Sequence, residues 1–98
     1  MPGQDWNQSE INAVVDAYFG MLGEQIAGRR IIKANVIRAL KSGALSNRSV
    51  GSIGLKLSNI SAVLRQAELP WVRGFAPRSH FQQALRKRVH DVASERHL

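Results

Sequence analysis

The chain has no cysteine, so disulfides and thiolate metal sites are excluded. It has no apolar run near the roughly 18 residues that a membrane span needs. Its first twenty residues carry acids and no basic stretch, which does not fit a secretory leader. Internal repeats, low-complexity segments and convincing strand patterns are missing too. Aromatic residues make up only 6% of the chain. Acids become scarce after the first quarter. Residues 1–27 hold Asp5, Glu10, Asp16 and Glu24 with no Lys or Arg, a charge of −4. Residues 28–98 hold all 14 cations against Glu68, Asp91 and Glu95, a charge of +11 and a chain total of +7. Such an imbalance speaks to partners rather than to fold. Nucleic acid is the first candidate and an anionic membrane surface the second.

The 98 residues suit one domain with one modest core, and 44% hydrophobic content is too high for disorder. Helical periodicity dominates. Asn7 and Glu10 form a capping box, with Trp6 and Ile11 placed as a hydrophobic staple. Ile11, Val14, Val15, Tyr18, Phe19, Leu22 and Ile26 then predict a first helix over about 8–27, stopped at Gly28. A short second helix over about 34–42 buries Ile32, Val36, Ile37 and Leu40 and turns Lys33, Arg38 and Lys41 outwards. After a turn at 43–48, Ser49 caps a third helix over about 50–68 with the stripe Val50, Ile53, Leu57, Ile60, Val63 and Leu64. Two prolines and a glycine make 69–78 a loop, folded back by Trp71, Val72 and Phe75. Ser79 and Gln82 read as the capping box of a last helix with Phe81, Leu85, Val89 and Val92 inside. The tail from Ser94 reads as frayed. The expected fold is all-α: a tri-helical, helix-turn-helix-like core over about 5–78, plus a basic C-terminal helix over about 79–95, in a single domain spanning 1–98.

Short helix, turn and a helix opening with Asn47-Arg48-Ser49-Val50-Gly51-Ser52-Ile53 is the arrangement that lays a recognition helix in the DNA major groove. The face opposite the third helix's stripe holds Gly51, Gly54, Leu55, Ser58 and Ala62, small enough for close approach to a groove wall. Arg48, Ser49, Ser52, Lys56 and Asn59 are the candidate base and phosphate contacts. Arg38 and Lys41 on the second helix and Arg73 and Arg78 in the loop are the candidate backbone contacts. Leu55 either touches a thymine methyl or packs under the last helix. No His/Glu pair has metal-ligand spacing and no Gly-rich phosphate loop follows a strand, so no catalytic residue, metal or cofactor is expected.

Trp6 and Glu10, with Asn47 through Ile53 and Lys56-Leu57, resemble Myb/SANT-like tri-helical domains, though that family's spaced tryptophans are absent. A second resemblance covers about 5–82. It runs through Tyr18-Phe19-Gly20-Met21-Leu22, Asn47-Arg48-Ser49, Asn59-Ile60-Ser61-Ala62-Val63-Leu64, Leu69-Pro70-Trp71 and Gly74-Phe75-Ala76-Pro77. These residues resemble the N-terminal helical domain of bacterial HNH-endonuclease and related restriction-like multidomain proteins. The resemblance implies a DNA-targeting module serving a nuclease effector in cis or in trans, in a bacterial cytoplasm at the nucleoid. Ile31 through Asn35 and Arg65 through Glu68 depart from that pattern. The chain is then either an excised domain or a stand-alone relative.

The partner expected is therefore double-stranded DNA, plain or modified, with no membrane role. The principal alternative is a docking or oligomerisation domain without DNA contact. A reader of flipped modified bases would need an aromatic pocket, for which Trp71 and Phe75 are the candidates.

Overall fold

The computed structural model describes residues 5–98 and contains α1 (Gln8–Ile26), α2 (Lys33–Ser42), α3 (Val50–Gln66) and α4 (Gln83–Glu95), with no strand among the described residues. The all-α expectation holds, and residues 1–4 of the expected domain lie outside the described residues. No helix is long and apolar enough to cross a membrane.

α1 begins as its sequence dictates. The Asn7 side chain accepts from the Glu10 N–H at 2.9 Å and the Glu10 carboxylate accepts from the Asn7 N–H at 3.0 Å. Trp6 and Ile11 are both buried, which completes the staple. Ile11, Val14, Val15, Tyr18, Phe19 and Leu22 are inside, whereas Ile26, one turn beyond, is 60% exposed. α1 packs against α3 and α4, α2 packs mainly against α3, and α4 closes over α1 and α3. Leu85, Val89 and Val92 make α4 a full member of the core rather than an appendage.

α3 is the central helix. From Asn59 to Leu64 every residue is buried, polar ones included, because α1, α4 and the 69–82 segment wrap it. Its first half meets solvent, as do Arg65 and Gln66 at its end, and Val50, expected inside, is 55% exposed. Ile32, expected on the inner face of α2, is 50% exposed. Both sit at helix starts, where the chain has not yet entered the packed layer.

The ends of α1, α3 and α4 close by one device, while α2 ends on Gly43 at φ −128°. After α3, the Glu68 N–H reaches the Arg65 carbonyl at 3.0 Å and the Leu69 N–H reaches Leu64 at 2.9 Å, with Glu68 in the left-handed region at φ 58°. That is a Schellman cap. It ends the helix at Gln66, two residues before the expected stop and ahead of Pro70. α1 ends the same way on Gly28 at φ 79°. α4 ends on His97 at φ 59°, with Leu98 N–H bonded to Ala93, so the tail expected to fray is capped.

The 69–82 segment is pinned by side chains. The Tyr18 hydroxyl accepts from the Val72 N–H at 2.7 Å and shares a 2.7 Å bond with Ser61. Gln25 donates to the Trp71 carbonyl at 3.0 Å and accepts from the Arg73 N–H at 2.9 Å. Val72 and Phe75 are buried and Trp71 half-buried, as the loop's apolar residues predicted. The expected Ser79 cap is not formed. Asn59 donates its amide to the Arg78 and Ser79 carbonyls, and the Arg78 N–H bonds Ser58 at 3.1 Å. Gln82 accepts from the Trp6 N–H at 3.1 Å and donates to the Trp6 carbonyl at 3.2 Å. Residues 78–82 are thus held without regular structure against α3 and the N-terminal segment, and winding begins only at Gln83.

Candidate functional site

The residues proposed as DNA contacts divide into two groups. The first is occupied internally. The Arg48 guanidinium grips Glu10 through Nη2 at 2.7 Å and Nε at 2.8 Å, lies over the Trp6 ring and donates to the Asp5 carbonyl. With 18% and 13% of the two side chains exposed, this is an inward structural pair joining α1 to the α2–α3 turn. The Arg48 hydrogen bonds hold the Glu10 carboxyl below the usual carboxylate range, against the opposing effect of burial. Asn59 is 3% exposed, and its amide serves the loop; as a base contact it is corrected to a structural residue. Ser49 caps α3 by accepting from the Ser52 N–H at 3.0 Å. Lys41 donates to the Ser46 and Arg48 carbonyls at 2.9 and 2.7 Å and so ties the turn together.

The second group faces solvent. Arg38 is exposed on α2, bonded only to its neighbour Asn35. Arg73 is exposed, its guanidinium 5.6 Å from the Trp71 ring. Arg78 is exposed, its backbone anchored on Ser58. Lys33, outside the contact set read from sequence, donates to the Gly74 carbonyl and lies 4.8 Å from the Phe75 ring. Lys56 is half-buried, 4.9 Å from the Trp6 ring. Burial, with Arg48 adding repulsion, holds its ammonium below the usual lysine range.

These elements build one continuous face. Ile37 of α2 meets α3 at Gly54, where a Cβ would lie 3.9 Å from its side chain. Gly51 has open space around it, and Leu55 is 51% exposed rather than covered by α4. The loop approaches the same face from two ends, at Lys33 through Gly74 and at Ser58 through Arg78. The strip Gly51, Gly54, Leu55 and Ser58 therefore meets α2 at Ile37 through Gly54 and the loop at Arg78 through Ser58. Residues 25–67 and 69–90 contain no acid at all. Four of the 14 cations, Arg29, Arg48, Lys87 and Arg88, are in ion pairs with Glu24, Glu10, Asp91 and Asp16.

Besides a hollow of about 450 Å³ on α4 by Gln83, Lys87 and Asp91, two concavities adjoin α1, α2 and α3. An apolar groove of about 630 Å³ lies between α1 and α2, lined by Met21, Ile31, Ile32, Val36 and Leu40. A smaller hollow of about 260 Å³ lies between the N-terminal segment, α3 and residues 80–82. Trp71 and Phe75, the expected aromatic pocket, do not form one: Phe75 is core and Trp71 lies under Arg73. Among the described residues no group of three or more His, Cys, Asp or Glu is placed to hold a metal ion. No family model, no curated protein and no solved structure matches the chain.

Proposed function

We propose that the domain binds duplex DNA on the face built from α2, the first half of α3 and the 69–78 loop. The observation that carries this reading is the absence of any acid from residues 25–67 and 69–90, the stretches that supply that whole face. A surface of one sign attracts a polyanion and concentrates it by long-range steering. Lys33, Arg38, Arg73 and Arg78 serve phosphates beside the small-residue strip. Gly51 and Ser58 let the α3 backbone come close to a groove wall, and Leu55 offers an apolar contact to a base edge. Because Arg48 and Asn59 are spent on the fold, base discrimination rests on Ser52, Leu55 and Ser58 and on groove shape rather than on an arginine fork. In this reading the domain is the targeting part of a nuclease-type system, with its effector in cis or in trans.

Fluorescence anisotropy with a 20-base-pair duplex, methylated and unmethylated at cytosine, tests the proposal across salt. Four phosphate contacts predict a log–log salt slope of about −3.6. Arg38→Ala and Arg78→Ala should each flatten it by about 0.9. No binding by the folded chain at low salt refutes the reading.

A second reading is docking of a protein partner, favoured by the open α1–α2 groove and the exposed Ile26 and Ile32 beside it. Salt-insensitive self-association in light scattering, lost in Ile32→Glu, would select it.

A further inference from the structure

The 260 Å³ hollow beside α3 has a composition unlike the groove between α1 and α2. Its apolar walls are Leu55, half exposed, and Phe81, half buried. Its polar groups are Ser52, Lys56, His80 and Asp5, which supply donors and acceptors side by side. Lys56 is the informative one. Among the described residues its ammonium makes no hydrogen bond and no ion pair, and its sole contact of that kind is with the Trp6 ring, 4.9 Å away. Its charge is favoured by the Asp5 and Glu10 carboxylates and opposed by Arg48, and its nitrogen is not sealed from solvent, so an incoming acceptor can reach it.

The rim is also fixed in advance. His80 is held in the left-handed region at φ 70° between two clamps: the Asn59 bonds to Arg78 and Ser79, and the paired bonds between Gln82 and Trp6. A non-glycine residue persists there only when its surroundings impose it.

We propose that this hollow takes a single unpaired nucleobase from a nucleic acid lying on the α3 strip. The inference rests on the DNA reading above and specifies its substrate. Three observations select a base over a bare phosphate. The Asp5 carboxylate shares the lining and repels a phosphate, whereas a base offers it an N–H. Leu55 and Phe81 offer apolar surface to a flat ring. The volume falls just short of the roughly 300–1,000 Å³ of whole-ligand sites, which suits one heterocycle. Ser52 and Leu55 belong both to the hollow and to the edge of the strip, so a base leaving the stack enters without any movement of the protein. A base that is already mispaired costs least to extrude, so the hollow favours mismatched over intact duplex.

The test uses the full chain and two 20-base-pair duplexes, one fully paired and one carrying 2-aminopurine at a central mismatch. Anisotropy should show about tenfold tighter binding of the mismatched duplex, and 2-aminopurine fluorescence should change on binding. Lys56→Met should bring the ratio of the two affinities below threefold while the helical circular dichroism stays intact; Phe81→Leu is the second variant, which keeps the core filled. In parallel, two-dimensional NMR with deoxynucleoside 5′-monophosphates should shift Ser52, Lys56, His80 and Phe81, and inorganic phosphate alone should not. Equal affinity for the two duplexes overturns this inference and leaves the DNA reading standing. Monophosphate shifts at the hollow with no duplex binding sustain the base site and overturn the duplex reading. Identical shifts from inorganic phosphate, or a mismatch preference that survives in both variants, overturn the base site.

Discussion

Removing the Tyr18 hydroxyl should cost far more than one oxygen atom suggests. Tyr18 and Ser61 are fully buried and Val72 is 1% exposed, so none of the three can turn to water. Tyr18→Phe orphans the Val72 N–H, at about 1–3 kcal/mol. It also ends the bond to Ser61, worth about 1 kcal/mol, although Ser61 can turn back to a carbonyl of its own helix. The expected loss is therefore about 2–3 kcal/mol, against a total of about 5–15 kcal/mol for a domain of this kind. Ser61→Ala should cost about 1–2 kcal/mol, since the Tyr18 oxygen still accepts from Val72. The double variant should cost about as much as Tyr18→Phe alone, so the coupling equals the Ser61→Ala cost, about 1–2 kcal/mol. Urea titration followed by circular dichroism measures all four proteins, and unchanged m-values would certify the comparison. Alkaline pH offers an independent check. Burial pushes the Tyr18 pKa above its ordinary value, outweighing the Ser61 and Val72 hydrogen bonds. Its contribution is therefore fully present below about pH 10, the unfolded value, and is lost as pH rises through the folded one. The Tyr18→Phe variant should lack that alkaline loss. A cost below about 0.5 kcal/mol, or strictly additive single changes, would refute the role assigned to this network.

Three further outcomes follow from the same geometry. Glu10→Gln should destabilise by about 1–3 kcal/mol, because it leaves the inward Arg48 half-paired. Since the folded Glu10 pKa is lowered, its contribution holds above about pH 4.3 and fades as pH falls through the folded value, so urea midpoints between pH 2 and 6 should flatten in the variant. Glu68→Gly should raise stability by up to about 1 kcal/mol in thermal melts, since glycine occupies the left-handed position without a Cβ penalty; an unchanged or lower melting temperature would count against the cap described. Gln82→Ala should cost about 1–2 kcal/mol by stranding both Trp6 backbone groups, whereas Gln83→Ala, exposed one residue on, should be neutral in the same urea series.

Local rules made α1 legible: Asn7, Glu10 and Trp6 lie within five residues, and the cap and staple they predict are both formed. The periodicity of α3 likewise gave its buried stripe from Ile53 to Leu64, but not its end, which falls at Gln66, nor the exposure of Val50. What periodicity could not give is how far a helix is wrapped. Asn59 looks like an outward polar edge on a wheel, yet the 69–82 segment covers it. The start of α4 was misread for the same reason: Ser79 and Gln82 have the right spacing for a cap, but partners distant in sequence claim that stretch first. Arg48 was read as a DNA contact because its neighbours in sequence are small and polar. Its partner Glu10 is 38 residues away, and only the tertiary fold brings the two together. Arg38, Arg73 and Arg78 were read as outward-facing, and they are exposed, since the fold brings no carboxylate to their side chains among the described residues.

The double bond between Trp6 and Gln82 has a consequence for synthesis. It joins residues 76 apart, so the buried Trp6 waits for the next 76 residues before its backbone is satisfied. At about 5–20 residues per second, translation leaves that indole and the underside of α3 uncovered for about 4–15 s. During that interval a nascent chain stalled short of Gln82 presents an open apolar seam to chaperones and proteases. The emergence of α4, which follows Gln82, is thus the event that closes this seam.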